Sequence, residues 1–217
     1  MPYPTIDLPT YADIGPRVIA WAATRELVCD DGSPLRANPL SQHGKTVEEA
    51  EDANEALAEL NSVKALAVDM MGKYTLAAQC MGDGPRRDLA LELGDILVTL
   101  TIHAGMHGKA LGQCKTESGR LTTGYGSDWY LGNVGHPPKT WAYVGEWAAM
   151  LGNALANLDS PWRFDIAGLI GAVAICVEDV ARVELALLGP ECLELALAKI
   201  EGRRGETVNG VFVKDEV

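Results

Sequence analysis

Two acidic patterns carry the chemistry legible in this 217-residue chain. They are Glu48-Glu49-x-x-Asp52 in TVEEAEDANEAL and Glu92-x-x-Asp95 in LALELGDILVTL. On a helix, carboxylates three residues apart share a face, one turn above the other. Two such helices facing each other bring four carboxylates to one point, an arrangement that calls for a cation between them. The chemistry to expect is divalent-metal binding.

Each pattern has a plainer alternative. Glu48, Glu49, Glu51, Asp52, Glu55 and Glu59 could simply form a solvated helix face. Against that, no basic residue falls at i+4 within the run, which lies between Lys45 and Lys64. Like charges at that spacing cost about 0.2–0.5 kcal/mol per pair, and a divalent ion turns the repulsion into ligation. Glu92 and Asp95 sit in a nearly continuous apolar stretch, Leu89 to Ile102, where carboxylates must be paired, protonated or on a metal. Arg86 and Arg87, just upstream, could supply a structural ion pair instead.

Composition sets the frame in which these groups work. With 47% hydrophobic residues, few aromatics and short β-branched runs, the chain is long enough for a sizeable helical core, and an all-α fold is expected. The net charge of −12 argues against nucleic acid or an anionic membrane as partner. Small phosphate-bearing molecules carried by a metal remain compatible, because the cation reverses the local sign. Cys29, Cys80, Cys114, Cys176 and Cys192 are odd in number and lack C-x-x-C spacing, which predicts reduced thiols and a cytoplasmic protein. The longest apolar run, Ile166 to Val177, is too short to span a bilayer.

The elements that must position the carboxylates follow from periodicity and punctuation. The pattern predicts helices over Arg17–Val28, Thr46–Leu60, Val63–Cys80, Asp88–His107, Thr140–Asn157, Ile166–Leu187 and Glu191–Glu201, with an extended tail ETVNGVFVK. The segment 116–138, rich in Gly, Ser, Thr and aromatic residues, reads as a linker or lid, with Trp129 and Tyr130 as lid candidates. It separates a catalytic half, 1–115, from a second half, 139–217.

The halves align with each other. KTVEEAEDANEAL at Lys45 lies on KTWAYVGEWAAML at Lys139, and the stretch from Gly94 to Cys114 lies on that from Gly171 to Cys192 with one added residue. In this registration Glu48, Glu49, Glu92 and Asp95 meet Ala142, Tyr143, Leu169 and Ala172, while Asp52 meets Glu146. A fused, pseudo-symmetric tandem with a degenerate second half is one reading; shared helical periodicity is the other.

E-E-x-x-D followed by E-x-x-D within ELGD resembles the all-α nucleotide pyrophosphohydrolases of the MazG type, which include the dimeric dUTPases. AWAATREL near the start and ECLELALAKIEGRRGETVNGVFVKDE at the end resemble the opening and closing segments of phage-type members. Two departures stand out: Asp52 replaces the usual third Glu, and the gap from Asp52 to Glu92 is long. Glu48–Glu51 and Asp52–Glu55 therefore remain alternative registers for the first pair.

The resemblance implies a helical bundle that hydrolyses a nucleoside triphosphate, with dNTPs favoured, to the monophosphate and pyrophosphate. Mg²⁺, or Mn²⁺ in its place, would be held by Glu49, Asp52, Glu92 and Asp95. Glu48 or Glu51 would take the proton of the attacking water. Lys45, Lys199, Arg203 and Arg204 would meet the phosphates, although the last three could equally complement the dipole at the end of the last helix; Trp21 and Arg25, one turn apart, could contact the base, or Trp21 could be plain core. Family members bury their helices by pairing subunits, so a homo-oligomer is expected.

Other chemistries have less support. His103 and His107 at i,i+4 could hold zinc with a carboxylate, though no third ligand of clear spacing accompanies them. Neither a P-loop nor a G-x-G-x-x-G motif occurs. A helical scaffold or regulator with an ion-stabilised acidic cluster, or a zinc hydrolase on His103 and His107, are the rival readings.

Overall fold

In the computed structural model the described residues are 8–35, 38–71, 83–124, 137–157, 165–203, 205–208 and 211–214. They form an all-α bundle followed by a small hairpin. The helices are α1 (Tyr11–Ala23), α2 (Pro39–Met71), α3 (Asp83–Met106), α4 (Leu111–Gly124), α5 (Pro137–Ala156), α6 (Ile166–Val180) and α7 (Gly189–Glu201). Strands β1 (Gly205–Val208) and β2 (Val211–Lys214) pair antiparallel, Gly205 opposite Lys214, so the extended tail doubles back on itself.

Capping residues set several helix starts. The Thr10 backbone N–H donates to Asp13 at 3.1 Å, the Asn38 side chain accepts from the Ser41 N–H at 2.8 Å, and Asp165 accepts from the Gly168 N–H at 3.0 Å. These caps explain where the sequence expectations were short. α1 begins at Tyr11 instead of Arg17, and α2 begins at Pro39, so residues read as a loop belong to the helix. The helices expected over Thr46–Leu60 and Val63–Cys80 are one continuous α2 as far as Met71. The segment 116–138 is not a linker throughout: its first residues, to Gly124, complete α4. Trp129 and Tyr130 lie outside the described residues.

Packing is organised around two core helices. α3 lies between α2 and α7, and α6 lies between α4 and α5. Leu89, Leu93, Ile96, Leu97 and Leu100 of α3 are fully buried, as are Ile170 and Val173 of α6. Among the described residues one helix, Gly84–Met106, is long and apolar enough to cross a membrane, and 89% of its most apolar window is buried inside the bundle. That helix is α3; the uninterrupted apolar run Ile166–Val177 lies in the shorter α6.

Both core helices meet a neighbour through a glycine. A Cβ on Gly94 would lie 2.1 Å from the Cys192 carbonyl oxygen of α7. A Cβ on Gly171 would lie 2.1 Å from the Cys114 carbonyl oxygen of α4. α6 then continues into a single π-helical turn, Ala181–Leu185, closed by Ala186 in the left-handed region at φ 57°. Buried Glu184 in this turn pairs with Lys64 of α2, and Arg86 of α3 donates to the Leu185 carbonyl at 2.7 Å. Arg86 is thus committed here and not to the acidic cluster.

Gly94→Ala and Gly171→Ala should each lower stability by about 1–3 kcal/mol, because the obstruction is rigid backbone. Gly44→Ala, on α2 with nothing within 4 Å of the added carbon, should be neutral or stabilise by up to about 1 kcal/mol. Urea midpoints of the three variants decide this; equal shifts would remove the close approach as a constraint.

Candidate functional site

α2, α3 and α7 meet at the two acidic motifs. Glu49 from α2 and Glu92 and Asp95 from α3 present carboxylate oxygens that all lie within 4.8 Å of one another. Asp95 is 6% exposed. The cluster lines a cleft of about 200 Å³ whose other walls include Trp21, Leu27, Gln42, Val98, Thr99 and Ile102. Three hard oxygen donors beside an apolar wall form a donor set suited to Mg²⁺ or Mn²⁺.

Two lysines approach the same carboxylates. Lys199 of α7 places Nζ 2.8 Å from Asp95 Oδ2 and 3.6 Å from Glu92 Oε1. Lys45 of α2 reaches Glu49 at 3.0 Å and Glu48 at 2.5 Å. Even so, burial pushes the Glu49 carboxyl above its ordinary range; Lys45 opposes this, while Asp95 and Glu92 add to it. Burial likewise raises Glu92, against the pull of Lys199 and with the help of Asp95 and Asp52. At Glu49 and Glu92 burial, helped by the neighbouring carboxylates, thus outweighs the lysine beside each.

The expected site residues divide into those the fold gathers and those it does not. Glu49, Glu92 and Asp95 converge. Asp52 lines the cleft but is exposed and lies outside the converging three. Glu48 also lines the cleft, largely exposed and held by Lys45, whereas Glu51 and Glu55 are exposed and do not line it. Lys45, Lys199 and Arg203 are all cleft residues. Arg204 lies outside the described residues.

Trp21 and Arg25 form a clip. The Trp21 indole donates to the Ile200 carbonyl at 3.0 Å, the Arg25 guanidinium stacks 4.3 Å above the Trp21 ring, and Arg25 donates to the Arg203 carbonyl at 2.8 Å. Together they tie the end of α1 to the end of α7, with Trp21 facing the cleft. Gln42 went unnoticed in the sequence: buried, it lines the cleft and donates from Nε2 to the Thr99 carbonyl at 3.2 Å. The signal that would have found it is the Asn38-x-x-Ser41 cap, which puts Gln42 on the helix.

Among the described residues the histidines gather no zinc-ligand set. His103 is fully buried and its ring lies 5.4 Å from that of His107, centroid to centroid. Among the described residues the metal-ligating atoms that converge are those of Glu49, Glu92 and Asp95, with no histidine in the group. Burial, with His107 and His43 adding, lowers the His103 pKa to about 3, so the ring is neutral. Among the described residues Cys29, Cys114, Cys176 and Cys192 form no disulfide, and burial pushes the Cys114 and Cys192 thiols up to about 12. Cys80 lies outside the described residues.

No family model, curated protein or solved structure matches this chain.

His103 provides a pH prediction. Its folded pKa lies below the ordinary 6.5, so the unfolded chain takes up the proton first. The stability that neutral His103 contributes is complete above pH 6.5 and is lost as pH falls toward 3, by up to about 1.4 kcal/mol per pH unit. His103→Leu should flatten that slope in urea titrations run from pH 7 to 4. Parallel curves for the variant and the wild type would contradict it.

Proposed function

We propose that this chain is a Mg²⁺-dependent hydrolase that cleaves nucleoside triphosphates, deoxynucleotides among them, to the monophosphate and pyrophosphate. The observation that carries the reading is the convergence of Glu49, Glu92 and Asp95 from two helices at the wall of a cleft that also holds Lys45, Lys199 and Arg203. The resemblance of the two acidic motifs to MazG-type pyrophosphohydrolases supplies the reaction class.

Triphosphate cleavage needs charge neutralisation and positioning more than a covalent nucleophile. When bound, Mg²⁺ neutralises phosphate charge and acidifies a coordinated water. Glu49, Glu92 and Asp95 would hold the ion, with Asp52 on the cleft wall beside them. Glu48, exposed and tethered to Lys45 in this structure, accepts the proton of the attacking water; Glu51 does not line the cleft and drops out of that role. Lys199, near the end of α7, and Arg203, two residues beyond it, receive the polyphosphate. Leu27, Val98, Ile102 and Trp21 offer the base an apolar surface, with Gln42 fixed at its edge.

One observation favours a non-catalytic rival. Each converging carboxylate already has a lysine within ion-pair distance or close to it, as a structural charge network would. Turnover separates the two readings. A screen of all common NTPs and dNTPs with Mg²⁺, quantifying pyrophosphate and phosphate separately, should show pyrophosphate released in one step with no diphosphate intermediate. Mg²⁺ or Mn²⁺ should also raise the melting temperature, because an ion that binds only the folded form stabilises it by mass action.

Asp95→Asn should reduce turnover at least about a hundredfold by removing a ligand, while circular dichroism stays that of the wild type. Glu146→Gln, on the exposed face of α5, should leave turnover within about twofold. A folded, fully active Asp95→Asn protein would sink the proposal.

A further inference from the structure

Lys199 occupies a position that its proposed role in phosphate binding does not explain. Its ammonium contacts Asp95 at 2.8 Å and lies 3.6 Å from Glu92, two of the three carboxylates that would ligate a metal. A hard divalent ion sits about 2.0–2.1 Å from a carboxylate oxygen. An ion on Asp95 Oδ2 would therefore lie within about 5 Å of Nζ, two cations sharing one oxygen in a partly desolvated cleft. At that spacing the two cations repel each other and compete for the same carboxylate.

We propose that Lys199 is a built-in competitor for the metal position. With no metal bound, it neutralises Asp95 and Glu92; metal binding displaces its ammonium toward the open cleft, where it becomes a phosphate ligand. The inference rests on the metal reading of the site and adds an order to it: tight polyphosphate binding requires that Lys199 first leave the carboxylates.

Three features make the exchange feasible. The Lys199 side chain is 32% exposed whereas that of Asp95 is 9% exposed, so the lysine, not the carboxylate, has room to move. Its flexible four-carbon stem can swing without moving α7, whose position is fixed by the Gly94–Cys192 approach and by Trp21 on Ile200. Arg203, also lining the cleft, supplies a second cation, so a polyphosphate there draws Lys199 toward a site it already favours. Lys45 differs in having a partner, Glu48, outside the converging three, to which it can retreat without leaving its own helix.

The first test uses Mn²⁺ alone, with free Mn²⁺ followed by electron paramagnetic resonance. Lys199→Met should bind Mn²⁺ about fivefold more tightly than the wild type, the effect expected from removing a partly exposed opposing charge. Lys109→Met, which deletes a lysine paired with Glu117 away from the cleft, should leave the affinity unchanged. The second test uses inorganic tripolyphosphate in calorimetry. The wild type should bind it with Mn²⁺ present and at least about tenfold more weakly without, and Lys199→Met should lose most of that gain. A third measurement needs no charge deletion: the Lys199 side-chain NMR resonance of the wild type, assigned with Lys199→Arg, should shift on titration with diamagnetic Mg²⁺.

Unchanged or weaker Mn²⁺ affinity in folded Lys199→Met overturns the exchange, as does a Lys199 resonance that ignores Mg²⁺. Triphosphate turnover without the exchange leaves the hydrolase reading standing, and the exchange without turnover does the reverse. A wild type that binds no Mn²⁺ removes both.

Discussion

The arrangement depends on how closely α7 can approach α3. At Gly94 the two backbones come so near that a single methyl group would reach the Cys192 carbonyl. Asp95 follows Gly94 directly, and Lys199 lies seven residues after Cys192, two turns along the same face of α7. The close approach is therefore what puts a lysine within reach of a buried carboxylate. Asp95 in a helix as apolar as α3 would otherwise be an uncompensated charge, which costs several kcal/mol when its partner is lost. Glu92, one turn away, shares the same lysine, and the cleft forms where the apolar packing gives way to these charges.

The same device recurs on the other side of the bundle. Gly171 of α6 meets the Cys114 carbonyl of α4 at the same 2.1 Å spacing that separates a Gly94 Cβ from Cys192. These are the residues that the sequence registration of the halves pairs, Gly94 with Gly171 and Cys114 with Cys192. In each case the helix following a core helix packs on the other core helix, so the halves exchange their last helices. The registration also needs one extra residue between Gly171 and Cys192, and the single π-helical turn at Ala181–Leu185 takes in an extra residue without ending the helix there. Both close approaches thus fall at positions that the registration pairs, as a duplication would place them, although helical periodicity alone also brings apolar helices into such registration. Where Glu92 and Asp95 stand in the first half, the second has buried Leu169 and Ala172, so its equivalent position is packed apolar core with no place for a cation.

Much of this was legible in the sequence because it is local. The all-α class, the apolar course of α3 and the two carboxylate patterns come from periodicity, and the structure places Glu49, Glu92 and Asp95 together. Asp52 missed the group for a reason the helix supplies: three residues advance the face by 300°, leaving Asp52 about 60° off the line of Glu49. Glu92 and Asp95 carry the same offset, but α3 is flanked by both α2 and α7, so both of its directions point at protein. What sequence could not supply was long-range partnership. Arg86 looked like the natural partner for the α3 carboxylates by proximity in the chain, yet it caps the π-helical turn, and Lys199, more than a hundred residues away, takes the role. The length of α2 was missed because its cap and first two turns, N-P-L-S-Q-H-G-K, have loop composition, and only the Asn38 cap marks them as helix.

Charge decides what such a cleft admits. Five carboxylates and three basic side chains line it, leaving it two charges negative within a protein of net charge −12. A bare polyphosphate is repelled at the entrance, and a bare divalent cation meets Lys199 and Lys45 already on the carboxylates. A metal–polyphosphate complex meets neither obstacle in full, because its cation end suits Glu49, Glu92 and Asp95 while its anionic end suits the lysines being displaced. The apolar wall of Leu27, Val98 and Ile102 strengthens both attractions by keeping water from screening them. On the proposed reading, a cleft of this mixed lining suits a ligand that brings both signs of charge at once better than either ion alone.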